Sequence, residues 1–250
     1  MKKTIIISAA LFVLAAGSAF ALPAITGVQN DMAAAFYQGT TKVASWNFNA
    51  DGSIDIQGNT INGDIKVYFS TGEKQRVVIY KINDNKIEDG IYTWTYKTGE
   101  PAGQETYNNG KRDGDFKFLY KSGKTSKEGT YKNGKKDGAI KLYYETGKLA
   151  EEGTYKDGLK SGEFTLYYPT GEAKERFTCV NDRRHGQYQQ FYQSGTIKME
   201  GLYKNGIKEG NFNKYFESGE DAGIQVYKNG ALISGESDES AGEEVTTPLE

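Results

Sequence analysis

One cysteine and one histidine, Cys179 and His185, stand six residues apart in "CVNDRRH", and a thiol beside an imidazole is the smallest nucleophile-and-base pair. A single histidine excludes a two-histidine metal site. The 33 Asp and Glu residues could supply carboxylate pairs for glycoside chemistry, yet almost all fall in turns or on the outward positions of strands. No phosphate-binding lysine loop and no dinucleotide fingerprint occurs, and "INDNKIEDG" does not read as a complete calcium loop. Cys179 reads as a small, partly buried substitute for a larger residue, and His185 as a solvated loop residue. No catalytic residue, cofactor or metal ligand is therefore expected.

The elements around these residues are set by repetition. Gly90, Gly114, Gly138, Gly162, Gly186 and Gly210 follow one another at 24-residue intervals, as do Gly99, Gly123, Gly147, Gly171, Gly195 and Gly219, and a period of this length marks a repeat architecture. An aromatic column reads Tyr80, Tyr107, Tyr131, Tyr155, Cys179, Tyr203 and Tyr227, with the cysteine in a tyrosine's place; a second reads Phe69, Tyr96, Tyr120, Tyr144, Tyr168, Tyr192 and Phe216. Within "GAIKLYYETGKLAEEGTYKDG", alternation puts Ile140, Leu142 and Tyr144 on one strand face and Lys141 and Tyr143 on the other. "ETG" is a tight turn, "KLAEEGTY" the returning strand, and "KDGLKSG" a longer connection in which Gly158 and Gly162 take left-handed conformations. Gly153 differs, because it lies inside a strand, where glycine weakens structure. Its use implies a gap in the sheet surface into which a neighbouring ring lies flat. The predicted fold is all-β, an elongated single-layer antiparallel meander of about seven 24-residue hairpin repeats, with a lengthened loop at "KINDNKIEDG".

Composition agrees: 37% hydrophobic, 13% aromatic, 31 glycines and 4 prolines in 250 residues suit exposed strands and tight turns, not a large aliphatic core. Residues 1–21 read as a signal peptide, with Lys2 and Lys3, the apolar "TIIISAALFVLAAG" and Ala19-Phe20-Ala21 at the cleavage site. A retained membrane anchor fits less well, because the apolar run is short. Residues 22–62 form an N-terminal segment holding a candidate degenerate capping repeat, 63–235 the array, and 236–250 an acidic disordered tail. One cysteine permits no internal disulfide.

"GTYKNGKKDGAI", "GTYKDGLKSGEF" and "GLYKNGIKEGNF" resemble MORN repeats, with their G-x-aromatic-x-x-G-x-x-x-G pattern, and more closely the bacterial variant with tyrosine at the aromatic position. The resemblance covers 63–235 and departs from the pattern at Cys179-Val180-Asn181-Asp182. It implies a curved meander of hairpins with a binding or scaffolding role. Relatives labelled as antitoxin components imply the alternative of an inhibitor of one protein partner, and a hydrolytic enzyme ranks below both.

Two surfaces could carry a binding role. The connections at 107–114, 131–138, 155–162, 179–186 and 203–210 each carry net positive charge, so an edge presenting Lys135, Lys136, Lys160, Arg183, Arg184 and Lys208 could meet phosphate or acidic sugar groups. The strand face opposite the main aromatic one presents a thinner row, Tyr143, Tyr167, Phe191 and Tyr215, which could receive a peptide, a sugar or a partner sheet. The expected protein is exported and non-enzymatic, a binding or scaffolding surface in the periplasm, on the outer membrane or secreted. Its partner is expected to be a protein, an acidic glycan or an anionic lipid of the envelope. Nucleic acid is not expected at this modest charge, nor is a transmembrane segment after signal cleavage.

Overall fold

A computed structural model describes residues 32–38, 41–49, 53–58, 63–71 and 74–235; the expected signal peptide and acidic tail lie outside them. Every regular element among the described residues is a β-strand. A separate three-stranded sheet is made by β1 (Met32–Gln38), β2 (Thr41–Phe48) and β3 (Ile54–Gly58), paired in that order. The array begins at β4 (Gly63–Thr71) and continues with β5 (Lys74–Asn83), β6 (Lys86–Ile87), β7 (Gly90–Tyr96), β8 (Pro101–Asn108), β9 (Lys111–Leu119), β10 (Thr125–Lys132), β11 (Lys135–Lys136) and β12 (Gly138–Tyr143). After β13 (Leu149–Lys156) come β14 (Leu159–Tyr167), β15 (Ala173–Val180), β16 (Arg183–Phe191), β17 (Ile197–Lys204), β18 (Ile207–Tyr215), β19 (Asp221–Lys228) and β20 (Ala231–Ser234).

The chain divides into two compact units, one reaching to Lys148 and including Tyr155–Gly158, the other made of Leu149–Thr154 and everything from Leu159. In the first, β4, β5, β7, β8, β9, β10 and β12 pair antiparallel in chain order, with β6 beside β5 and β11 beside β10. In the second, β14 to β20 pair antiparallel in chain order. Each unit's array is thus an open antiparallel meander of hairpins. Among the described residues, no pairing joins the first and last strands within either unit.

Two turns alternate, each set by local chemistry. In the first, Gly123 N–H donates to Tyr120 O (2.9 Å) and Tyr120 N–H to Lys124 O (2.8 Å), and the pair of bonds recurs at Tyr144, Tyr168, Tyr192 and Phe216. The glycine, at φ +79° in Gly123, supplies the left-handed residue such a turn needs. The second corrects the expectation of a longer connection. It is a two-residue turn whose central residues both have positive φ, as at Asn133 (49°) with Gly134 (82°) and Asp157 (51°) with Gly158 (89°), the geometry that Asn-Gly and Asp-Gly favour because its twist matches that of the strands. The strand resumes at once, so Gly162, expected in the connection, lies inside β14 at φ +99°. Its equivalents break the register: between Cys179↔Arg184 and Phe177↔Tyr188, Thr178 faces the stretch that contains Gly186. These glycines are bulges, not loop residues. The lengthened loop is corrected likewise. Asp84 and Asn85, at φ 47° and 64°, make the same tight turn, and pairing of Ile82 with Ile87 puts Ile82, not Tyr80, opposite the position that Arg112 takes against Tyr107.

The core of the first unit gathers Val78, Tyr80, Ile82, Tyr92, Trp94, Tyr96, Tyr107, Phe116, Phe118 and Ile140, with Ile54 of β3 packed against it. In the second, Phe164, Phe177, Tyr188, Met199 and Phe212 are buried. Rings supply most of this apolar area, as glycine-gapped strands require.

Candidate binding surface

The gap expected at Gly153 is present. A Cβ there would stand 2.1 Å from Phe164 Cδ1, and one at Gly201 2.6 Å from Phe212 Cγ, so each ring lies against bare backbone of the neighbouring strand. At Gly129 the intruder is Ile140 Cδ1, at 2.3 Å. Where the glycine column holds another residue, the structure compensates. Phe177 stands in it two residues before Cys179, so a large side chain replaces the smallest one and a small side chain replaces tyrosine.

The glycine column also holds two polar residues to which sequence reading assigned no role. Glu105 and Gln225 occupy it in outer repeats and are both 1% exposed. Arg112 Nε donates to Glu105 Oε2 at 2.9 Å, and Tyr80 and Tyr107 hydroxyls donate to Oε1 at 3.1 and 3.3 Å. Gln225 Oε1 accepts from Tyr227 O–H (3.1 Å), which in turn accepts from Lys208 Nζ (3.2 Å). The available signal was an acid or amide in a column that holds glycine at 129, 153 and 201.

The six basic candidates separate into two groups. Lys135 and Arg183 are exposed beside the two-residue turns. Lys136, Lys160, Arg184 and Lys208 are half-buried on the aromatic face, in a 24-residue column with Arg112. Arg112 lies over Tyr131 (5.5 Å), Lys136 over Tyr155 (4.9 Å), Arg184 over Tyr203 (5.5 Å) and Lys208 over Tyr227 (4.6 Å), so each cation covers the tyrosine of the next repeat. A cation above a ring face is drawn to its quadrupole. Lys160 would meet Cys179 in that scheme; it lies over Phe164 instead, at 4.8 Å, and pairs with Glu151 at 2.7 Å.

On the opposite face the aromatic candidates are equally engaged. Tyr143, Tyr167 and Tyr215 hydroxyls donate to Glu128 (2.6 Å), Glu152 (2.5 Å) and Glu200 (3.1 Å), each fifteen residues earlier. These bonds hold the Glu128 carboxyl below its usual range, and the bond to Glu200 pushes the Tyr215 phenol up. The fourth copy breaks both columns together: Arg176 replaces the glutamate, Phe191 the tyrosine, and the guanidinium lies 5.1 Å over the ring. Phe191 is 7% exposed. Repeats are also joined by the hydroxyls of the second aromatic column, Tyr96 donating to Leu119 O (2.7 Å) and Tyr192 to Tyr215 O (3.0 Å).

Cys179 and His185 belong to this scaffold. The thiol is 2% exposed, and burial pushes its pKa up, the reverse of an activated thiolate. His185 Nδ1 accepts the Asn205 N–H at 3.4 Å, the place that Asp113 takes for Asn133 and Glu209 for Asn229. The histidine thus follows a column of turn-capping acceptors.

A meander of hairpins whose aromatic, cationic and acidic side chains are bonded from one repeat to the next defines a β-repeat protein with a binding or scaffolding architecture. Three segments, residues 112–133, 136–157 and 184–205, match the model of the MORN repeat variant, so this part of the array carries MORN-variant repeats. No curated protein matches it.

Proposed function

We propose that this is an exported, non-enzymatic protein that uses the exposed turn edges of its repeats to bind acidic material of the cell envelope. The observation that carries the reading is the recurrence of exposed cations beside the two-residue turns: Lys132, Lys135, Lys156, Arg183 and Lys204. The 24-residue step from Lys132 to Lys156, with Lys135 between them, gives the first unit repeated contacts for an acidic chain, and Arg183 and Lys204 give the second unit its own, each weak alone and screened by salt. The four basic candidates on the aromatic face serve the repeat itself. The aromatic row offers less to a partner, since its hydroxyls are bonded and Phe191 is buried.

Export is supported by the N-terminal pattern and is tested by fractionating cells that express a C-terminally tagged chain: a shortened product outside the cytoplasm supports it, and a full-length cytoplasmic product contradicts it. Binding is tested by sedimenting purified protein with isolated envelope material. The variant with Lys132, Lys135, Lys156, Arg183 and Lys204 all changed to Gln should lose salt-sensitive retention, whereas Tyr143→Phe with Tyr167→Phe should keep it.

A further inference from the structure

Outside the turn edges, the aromatic face of the first unit carries a cluster of cations with too few anions. Phe118 of β9 pairs with Gly103 on one side and Lys127 on the other. A Cβ at Gly103 would fall 2.4 Å from Lys117 O and 2.8 Å from Phe118 Cδ1, so the bare backbone of β8 lies close against the start of the ring, and Trp94 packs on it at 6.0 Å between centroids. Over the ring stand two cations from different strands, Lys127 Nζ at 5.0 Å and Arg76 Cζ at 5.7 Å from the centroid. Arg76 also lies over Tyr96, at 5.7 Å, as does Lys121 at 5.9 Å. Neither Arg76 nor Lys127 makes an ion pair among the described residues, and Arg76 Nε is buried without an acceptor.

The groups that act on Lys127 are Arg76 of β5, Arg112 of β9, Lys136 of β11 and, in the opposite sense, Glu105 of β8. Glu105 is the single carboxylate among them, and it is already bonded to Arg112 at 2.9 Å. Desolvation and three like charges lower the Lys127 ammonium to about 8. Such an arrangement is unfavourable for a group that serves stability alone, because an isolated half-buried charge costs free energy.

We propose that Arg76 and Lys127, flanked by Arg112 and Lys136, form a binding site for a small tetrahedral oxyanion, phosphate or sulfate, free or as a monoester. The guanidinium offers paired N–H donors suited to two oxygens of such an anion and the ammonium a point charge beside them, while the buried Phe118 ring gives both cations an apolar neighbour. The site uses none of the turn-edge residues, so its fate is independent of envelope binding.

The test is calorimetric titration of the purified mature chain with sodium phosphate and sodium sulfate at constant ionic strength set by chloride. Wild type should show saturable binding, and Lys127→Met should weaken it about tenfold or more while leaving the fold as stable as before or more so. Arg76→Gln should weaken it similarly; Lys97→Gln, the same charge change at an exposed turn of that unit, should leave it unchanged. A bound anion raises Lys127, so near pH 8 wild-type heats should vary with buffer ionisation enthalpy as a proton is taken up, and those of Lys127→Met should not. Repeating the titration with a soluble phosphate monoester and with vesicles of phosphatidic acid against phosphatidylcholine distinguishes a free ester from a lipid headgroup as the source. Absence of saturable phosphate and sulfate binding in the wild type, or undiminished binding in folded Lys127→Met, overturns the proposal.

Discussion

At the scale of single residues the glycine column makes the sharpest demands. Gly153 has no left-handed φ, and the three atoms nearest a Cβ there all belong to the Phe164 ring. Gly153→Val should destabilise by about 1–3 kcal/mol despite valine's preference for strands, measured by urea unfolding; an unchanged or higher midpoint contradicts ring-over-gap packing. Glu105→Gln should cost about 3 kcal/mol, because it leaves Arg112 half-buried beside Tyr80 and Tyr107 without its carboxylate. Lys127 gives a pH signature. Its folded pKa of about 8 lies below the unfolded value, so the unfolded chain binds more protons between about pH 8 and 10.4. Stability should therefore rise across that window, and Lys127→Met should remove this contribution. The glycine gap was legible in sequence, since a strand-interior glycine needs a reason. Glu105 was not, because one unusual letter in a column says nothing of its partners Tyr80 and Arg112 on two other strands.

At the scale of the element, the unit of design is a column pair. Glutamate with tyrosine at fifteen-residue separation gives way, in one repeat, to Arg176 with Phe191, and glycine with tyrosine gives way to Phe177 with Cys179. Arg176→Glu with Phe191→Tyr should restore the hydroxyl-to-carboxylate bond, with a favourable coupling of about 0.5–1.5 kcal/mol over the two single changes in a double-mutant cycle; additive effects contradict column pairing. Cys179→Tyr, which sequence alone suggests should stabilise by completing its column, should instead destabilise, because Phe177 fills the adjoining space. Adding Phe177→Gly should recover the loss. Strand alternation and turn glycines were readable from periodicity. The bulges were not: a positive-φ glycine after a tight turn looks in sequence like more of the same loop, and only the shifted pairing of Cys179 and Phe177 distinguishes the two. The cation column was visible as Arg112, Lys136, Lys160, Arg184 and Lys208, yet its proximity to the turns made it look like an exposed edge. Stacking on the next repeat's tyrosine is a relation between strands that spacing along one chain does not display.

At the scale of the whole molecule, the interactions that recur from repeat to repeat engage the half-buried cations and leave Lys132, Lys135, Lys156, Arg183 and Lys204 exposed beside the turns. Changing Cys179→Ser and His185→Ala together should leave envelope binding intact, because one side chain fills space and the other caps a turn. Loss of binding by that folded variant would point to chemistry at the pair. The most direct measurement is retention of the purified chain on isolated envelope material at low and high salt, for wild type and for the five-site Gln variant at Lys132, Lys135, Lys156, Arg183 and Lys204. Wild type should be retained at low salt and released at high salt, and the variant should be released at both. Retention of the folded variant at low salt, or wild-type retention that salt does not alter, would contradict the turn-edge account.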